Sequence, residues 1–102
     1  MAEAQAARSR RLLALGKANE IRIARARLKR QLHAGDVQIK QILAAPPRCA
    51  STASVLELLL AIPKVGPVRA RRLLTATRVS EATRVGRLTE RQRGELLDRL
   101  PD

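Results

Sequence analysis

The sequence predicts an all-α fold, and three observations carry that expectation. Apolar residues recur at three- and four-residue spacing along most of the chain. Two Ser/Thr-x-x-Glu/Gln patterns stand directly before apolar runs, where capped helices begin. Strand signals of any length are absent, and so are internal repeats. At 102 residues there is room for one domain with one modest core. The expected architecture is a long basic N-terminal helix followed by a bundle of about four short helices.

Residues 2–34 contain no Pro and a single Gly, and Ala, Arg and Leu dominate them. Ala14, Ala18, Ile21, Ala24, Leu28 and Leu32 form one stripe of that helix, with Arg22, Arg27, Lys29 and Arg30 off it and Arg25 at its border. About 30 helical residues reach about 45 Å, more than a domain of this size is wide. Residues 1–12 are therefore expected as a flexible or frayed basic end and residues 13–34 as the packed helix. Gly35 reads as its stop and Asp36 as the N-cap of a short helix over residues 36–45. Pro46 and Pro47 end that helix, and residues 46–53 read as a loop.

Ser54 and Glu57 form a capping-box pattern that opens a helix ending at Pro63. Lys64, Val65 and Gly66 make a tight connection, and Pro67 suits the first position of the next helix because its missing N–H costs nothing there. Ala70, Leu73 and Leu74 face inward on it, leaving Arg69, Arg71 and Arg72 outside. Residues 54–77 thus read as one helix–turn–helix hairpin. A short turn over residues 80–86 leads to a second capping box, Thr89 with Gln92, and a last helix over residues 89–100. There Leu96, Leu97 and Leu100 are the buried positions, and Pro101 closes the chain.

Charge sets the class of partner. Lys and Arg outnumber Asp and Glu by 21 to 9, a formal net charge of +12 that must find counter-charge. Residues 1–33 carry +7, residues 34–63 are neutral and residues 64–102 carry +5, so a neutral core-forming middle separates two basic regions. No aromatic residue occurs, which removes the stacking platforms on which single-strand and RNA-loop binders hold bases. Cys49 and His33 each stand alone, so no disulfide, metal cage or nucleophile–base pair is expected, and no cofactor. His33 reads as a helix C-terminal group favouring the dipole, Cys49 as a small neutral loop residue, and Glu57 as a cap partner and not a general base. No segment of 18 or more apolar residues and no signal-peptide block is seen, so a cytoplasmic protein with no membrane role is expected.

Residues 62–74, Ile-Pro-Lys-Val-Gly-Pro-Val-Arg-Ala-Arg-Arg-Leu-Leu, carry the chemistry. A helix ends at a Pro, a short turn with one Gly follows, and a new helix begins. Its first amides lack intrahelical partners and lie at the positive end of the helix dipole, a ready site for phosphate. Gly66 removes the Cβ that holds a phosphate away and permits positive φ. Lys64 adds a point charge, and Arg69 and Arg72 follow on one face. An ordinary helix–helix turn, in which Gly66 serves only the backbone, is the alternative.

The hydrophobic–Pro–x–hydrophobic–Gly element resembles the hairpin of helix–hairpin–helix and helix–two-turn–helix proteins. Taken with the basic Ala/Arg helix before it and Arg91-Gln92-Arg93-x-x-Leu96-Leu97 after it, the order over residues 15–100 is similar to the actinobacterial integration host factors. The resemblance implies a nucleoid-associated architectural protein that binds double-stranded DNA through its phosphates with little sequence specificity. It also implies bending or compaction of DNA and assistance to recombination or integration. By that resemblance Pro63, Lys64, Val65, Gly66, Val68 and Arg69 meet one strand, Arg72 on the same helix face joins them as a candidate, and Arg84 and Arg87, with Arg91 and Arg93 beside them, form a further basic region. Arg22, Arg25, Arg27, Lys29 and Arg30 are candidates for a second DNA surface. An integrase or recombinase on DNA is the implied protein partner, and the chain is expected as a monomer in the nucleoid. Pro67 departs from the family pattern, taking away an amide donor and a charge at a position often basic.

The rival within the binding class is a ribosomal-type or other structured-RNA-binding protein, which shares the basic composition. Hairpin-bearing DNA glycosylases and lyases need a catalytic Lys or Asp beyond the hairpin. Here no Lys follows Lys64 and no Asp precedes Asp98 in that region, so the expectation is a non-enzyme. A membrane-surface role for the first helix finds no aromatic anchor.

Overall fold

The computed structural model describes residues 2–100. It is all-helical: α1 (Ala2–Ala34), α2 (Ile39–Ala44), α3 (Arg48–Ser51), α4 (Val55–Leu60), α5 (Pro67–Ala76), a 3₁₀ turn (Val85–Arg87) and α6 (Glu90–Arg99). Its long axis of 56 Å against 27 and 23 Å follows from α1, which outreaches the body it packs on. Pro101 lies outside the described residues.

Only the C-terminal turns of α1 enter the core. Leu28 and Leu32 are buried and Ile21 and Ala18 half-buried, while Ala14 and Ala24, expected on the same inward stripe, are exposed. The stripe outruns the body at Ala14, and Ala24 lies at the edge of the face that Ile21, Leu28 and Leu32 turn to it. Gly35 ends the helix in the left-handed region at φ 82°, with Gly35 N–H donating to Leu32 O (3.3 Å) and Asp36 N–H to Gln31 O (2.9 Å). That pair of bonds is a Schellman stop. Asp36, expected as an N-cap, therefore belongs to the end of α1. Helix α2 starts only after Gln38, in whose favour no side-chain cap acts.

The stretch expected as a loop holds α3. Pro47, extended at φ −67° and ψ 163°, offers its carbonyl to the amides of Ala50 (2.9 Å) and Ser51 (3.0 Å). Proline is an acceptor without being a donor, so a Pro pair closes one helix and opens another. Ala50 and Ala53 are fully buried, small enough for the 3₁₀ turn to lie against α3. Gly86 makes that approach possible: a Cβ there would stand 3.1 Å from Ser51 O.

Helices α4, α5 and α6 surround the centre, where Leu43, Val55, Leu58, Leu59, Leu74, Val85 and Leu96 are inaccessible or nearly so. Leu96 and Leu100 are buried as expected, and Leu97 and Leu73 sit at the rim. Thr77, the one buried polar residue among the described residues, donates its hydroxyl to Leu73 O at 2.7 Å. An isolated antiparallel bridge joins Ser54 to Arg84, with Val55 N–H on Thr83 O and Val85 N–H on Ala53 O, both 2.9 Å. It clamps the start of α4 to the segment before α6.

Candidate nucleic-acid interface

The hairpin between α4 and α5 is built from one buried residue and a rim of exposed ones. Val65 N–H donates to Ile62 O (3.2 Å), closing a turn, and the Val65 side chain is 3% exposed. Val65 therefore anchors the hairpin from below, and its amide is already engaged. Pro63, Lys64, Gly66, Pro67, Val68 and Arg69 stand outside.

Helix α5 opens without a side-chain cap, unlike α4 and α6, which Ser54 and Thr89 close with their hydroxyls. Ala70 N–H reaches Gly66 O at 2.9 Å, while among the described residues no acceptor takes the amides of Gly66, Val68 and Arg69. Unpaired amides at the positive end of a helix are groups that can hold an anion. Gly66 lies at φ −82°, so the positive φ that glycine permits is not used. A Cβ built there meets nothing within 4 Å. Neither backbone conformation nor internal packing demands a glycine there. Arg69 and Arg72 are exposed one turn apart on α5. Arg71 is drawn aside by Glu81, 2.8 Å away.

The later basic residues are unequal. Arg84 donates to Thr52 O at 2.8 Å, and Arg91 pairs with Glu95 at 3.2 Å. Arg93 is half-buried, with its Nε shielded and without a partner. Arg87 is exposed and lines a shallow depression with Ser80, Thr83, Arg84 and Gln92. This region joins the start of α4 through the Ser54–Arg84 bridge, whereas the hairpin leaves its end. One helix of six residues, about 9 Å long, thus spaces the two basic groups.

On α1 the five candidate cations divide. Arg25 donates Nε to Cys49 O (3.1 Å) and Nη2 to Thr52 Oγ1, so it ties α1 to α3. Lys29 pairs with Glu57. Glu57 keeps half of its capping box: its amide donates to Ser54 Oγ at 3.1 Å, but its carboxylate turns to Lys29. Arg22, Arg27 and Arg30 remain exposed, and no ion pair holds them among the described residues. Thr52 accepts Arg25 on its hydroxyl oxygen and Arg84 on its carbonyl, so one residue is tied to both basic regions. His33, in the last turn of α1 as expected, lines an open cleft beside the hairpin with Lys29, Arg30, Ala61 and Leu60, the last of which the sequence did not single out. His33 stands four residues after Lys29 and three after Arg30, spacing that marks a shared face.

Among the described residues no cluster of three or more His, Cys, Asp or Glu side chains could hold a metal, and no helix is long and apolar enough to cross a membrane.

Residues 32–100 match the family described as the S13-like H2TH domain. The chain is 38% identical to the integration host factor of Mycolicibacterium smegmatis and 37% identical to that of Mycobacterium tuberculosis. Each match covers 97% of this chain and 96% of the relative. A solved structure of sIHF bound to an 8-bp palindromic DNA superposes with a TM-score of 0.72 at 28% identity. It spans 79% of this chain and 93% of that one.

Proposed function

The chain belongs to the integration host factor family and carries an S13-like H2TH domain, and from that premise we propose how it works as an architectural DNA-binding protein of the nucleoid. The uncapped start of α5 carries the proposal, because it presents three unpaired amides beside Lys64 and Arg69 with open space over Gly66. A phosphate of one strand seats there, and Lys64, Arg69 and Arg72 neutralise its neighbours along the backbone. Pro63 shapes the turn, Val65 anchors it, and exposed Val68 faces the sugar edge. Arg87 extends the track, with Arg84, Arg91 and Arg93 supporting it.

Contacts of this kind position the protein and carry no base sequence, so binding is weakly specific. Arg22, Arg27 and Arg30 on α1 offer a second basic surface to the same duplex or to another, which bends or compacts DNA and assists an integrase or recombinase assembled on it. The role is architectural and not enzymatic, and the protein acts from the cytoplasmic nucleoid.

The test is the affinity for a ~20-bp DNA duplex across a salt series, with duplex RNA and single-stranded DNA in parallel. Log K should fall against log salt with a slope of about −0.9 for each phosphate neutralised. The expected outcome is a steep slope with duplex DNA preferred. Equal or tighter binding to duplex RNA would overturn the proposal in favour of a structured-RNA binder.

A further inference from the structure

We propose that α1 carries a self-recognition seam through which two DNA-bound copies of this chain pair antiparallel. The proposal rests on the DNA-binding reading above. Leu12, Leu15 and Ile23 are 63%, 64% and 53% exposed, on a helix whose opposite side supplies the buried Leu28 and Leu32. At about 100° per residue, Leu12, Leu15, Asn19, Ile23 and Ala26 share one face, roughly opposite the stripe that meets the body. An apolar stripe of that width on the solvent side has no partner among the described residues.

The order of the residues in the seam selects its occupant. Their spacing is three, four, four and three, which reads the same in both directions about Asn19. A two-fold axis at Asn19 places Leu15 against Ile23 of a second copy and Leu12 against Ala26, while the two Asn19 amides meet. Such a surface is self-complementary, as an isologous dimer requires, and a central Asn sets register in helix pairs. Charge decides when it forms. The same register sets Arg8 against Arg30 at both ends, and Arg11, Arg22 and Arg27 flank the seam. These like charges oppose pairing in the free protein. Phosphates that neutralise Arg22, Arg27 and Arg30 lift the repulsion, and binding to one duplex raises the local concentration of the two helices. Pairing would then link neighbouring copies along DNA or bridge two segments.

Disulfide trapping tests this on the full chain. In a Cys49→Ser background, Asn19→Cys is incubated with diamide as oxidant, with and without a duplex long enough for two copies. A covalent dimer should form at least about tenfold faster on DNA. Leu12→Cys should not self-link but should link with Ala26→Cys. Duplex affinity is measured alongside by fluorescence anisotropy, so failure to bind DNA and failure to pair are separate results. Binding without Asn19→Cys trapping would overturn the seam, and so would self-linking of Leu12→Cys, the mark of a parallel pair. A second variant, Leu12→Ser with Leu15→Ser and Ile23→Ser, should keep its affinity for a short duplex that holds one copy. It should lose cooperativity on the longer one; retained cooperativity would also overturn the proposal.

Discussion

Among residues of like charge, what separates a binding arginine from a structural one is the partner it already has. Arg25 and Arg22 sit three residues apart on α1, yet Arg25 is bonded to Cys49 O and Thr52 while Arg22 stands free. Arg25→Ala should lower stability by about 1 kcal/mol, the worth of charged hydrogen bonds discounted for partial exposure. Urea unfolding reads that loss, and Arg22→Ala should leave the midpoint unchanged while weakening DNA binding. At the hairpin, Lys64→Glu combined with Gly66→Asp places two negative charges on the phosphate seat. Both positions are exposed and a Cβ at Gly66 meets nothing, so circular dichroism should show unchanged helix content. Affinity for duplex DNA should fall at least about tenfold. Unchanged affinity would make the hairpin a mere turn. Lys64 and Gly66 were legible in the sequence because Pro, Gly and Lys leave local signatures. The engagement of Arg25 and Lys29 was not, since Thr52 and Glu57 lie 27 and 28 positions further along the chain.

Elements form here where their ends are closed, and how each end is closed sets its use. Thr89 accepts from Gln92 N–H (3.1 Å), and Gln92 Oε1 accepts from Thr89 N–H (3.1 Å). Gln92 also donates to Arg78 O at 3.0 Å, so one cap fastens α6 to the end of α5. Thr89→Ala should cost about 1 kcal/mol and lower Tm by about 4–8 °C in a domain of this size. The readout is calorimetry. Helix α5 does the reverse: with Gly66 at its N-cap and no side-chain cap, it leaves its first amides open. Although only Thr89 with Gln92 closes a full box, the Ser54 and Thr89 caps were visible beforehand because they obey a four-residue rule. Helix α3 was not, because the Pro47 carbonyl that starts it leaves no mark in side-chain chemistry.

The whole molecule is a small body with a rod laid on it, and its core is correspondingly thin. Leu59 is fully buried among the helices that hold the hairpin. Leu59→Ala should cost about 3 kcal/mol by lost transfer energy and the cavity left behind. In a domain whose total stability is about 5–15 kcal/mol, urea unfolding should show a large shift of the midpoint. By itself the sequence determined the helical class, the hairpin, the capped ends and the anionic nature of the partner. Periodicity, prolines and net charge are local or additive properties, readable one segment at a time. Only the tertiary structure decided which turns of α1 meet the body, that Thr52 accepts from both Arg25 and Arg84, and which arginines stay free. Those outcomes depend on which distant acceptor each side chain meets once the core has closed, and spacing along a chain does not encode that.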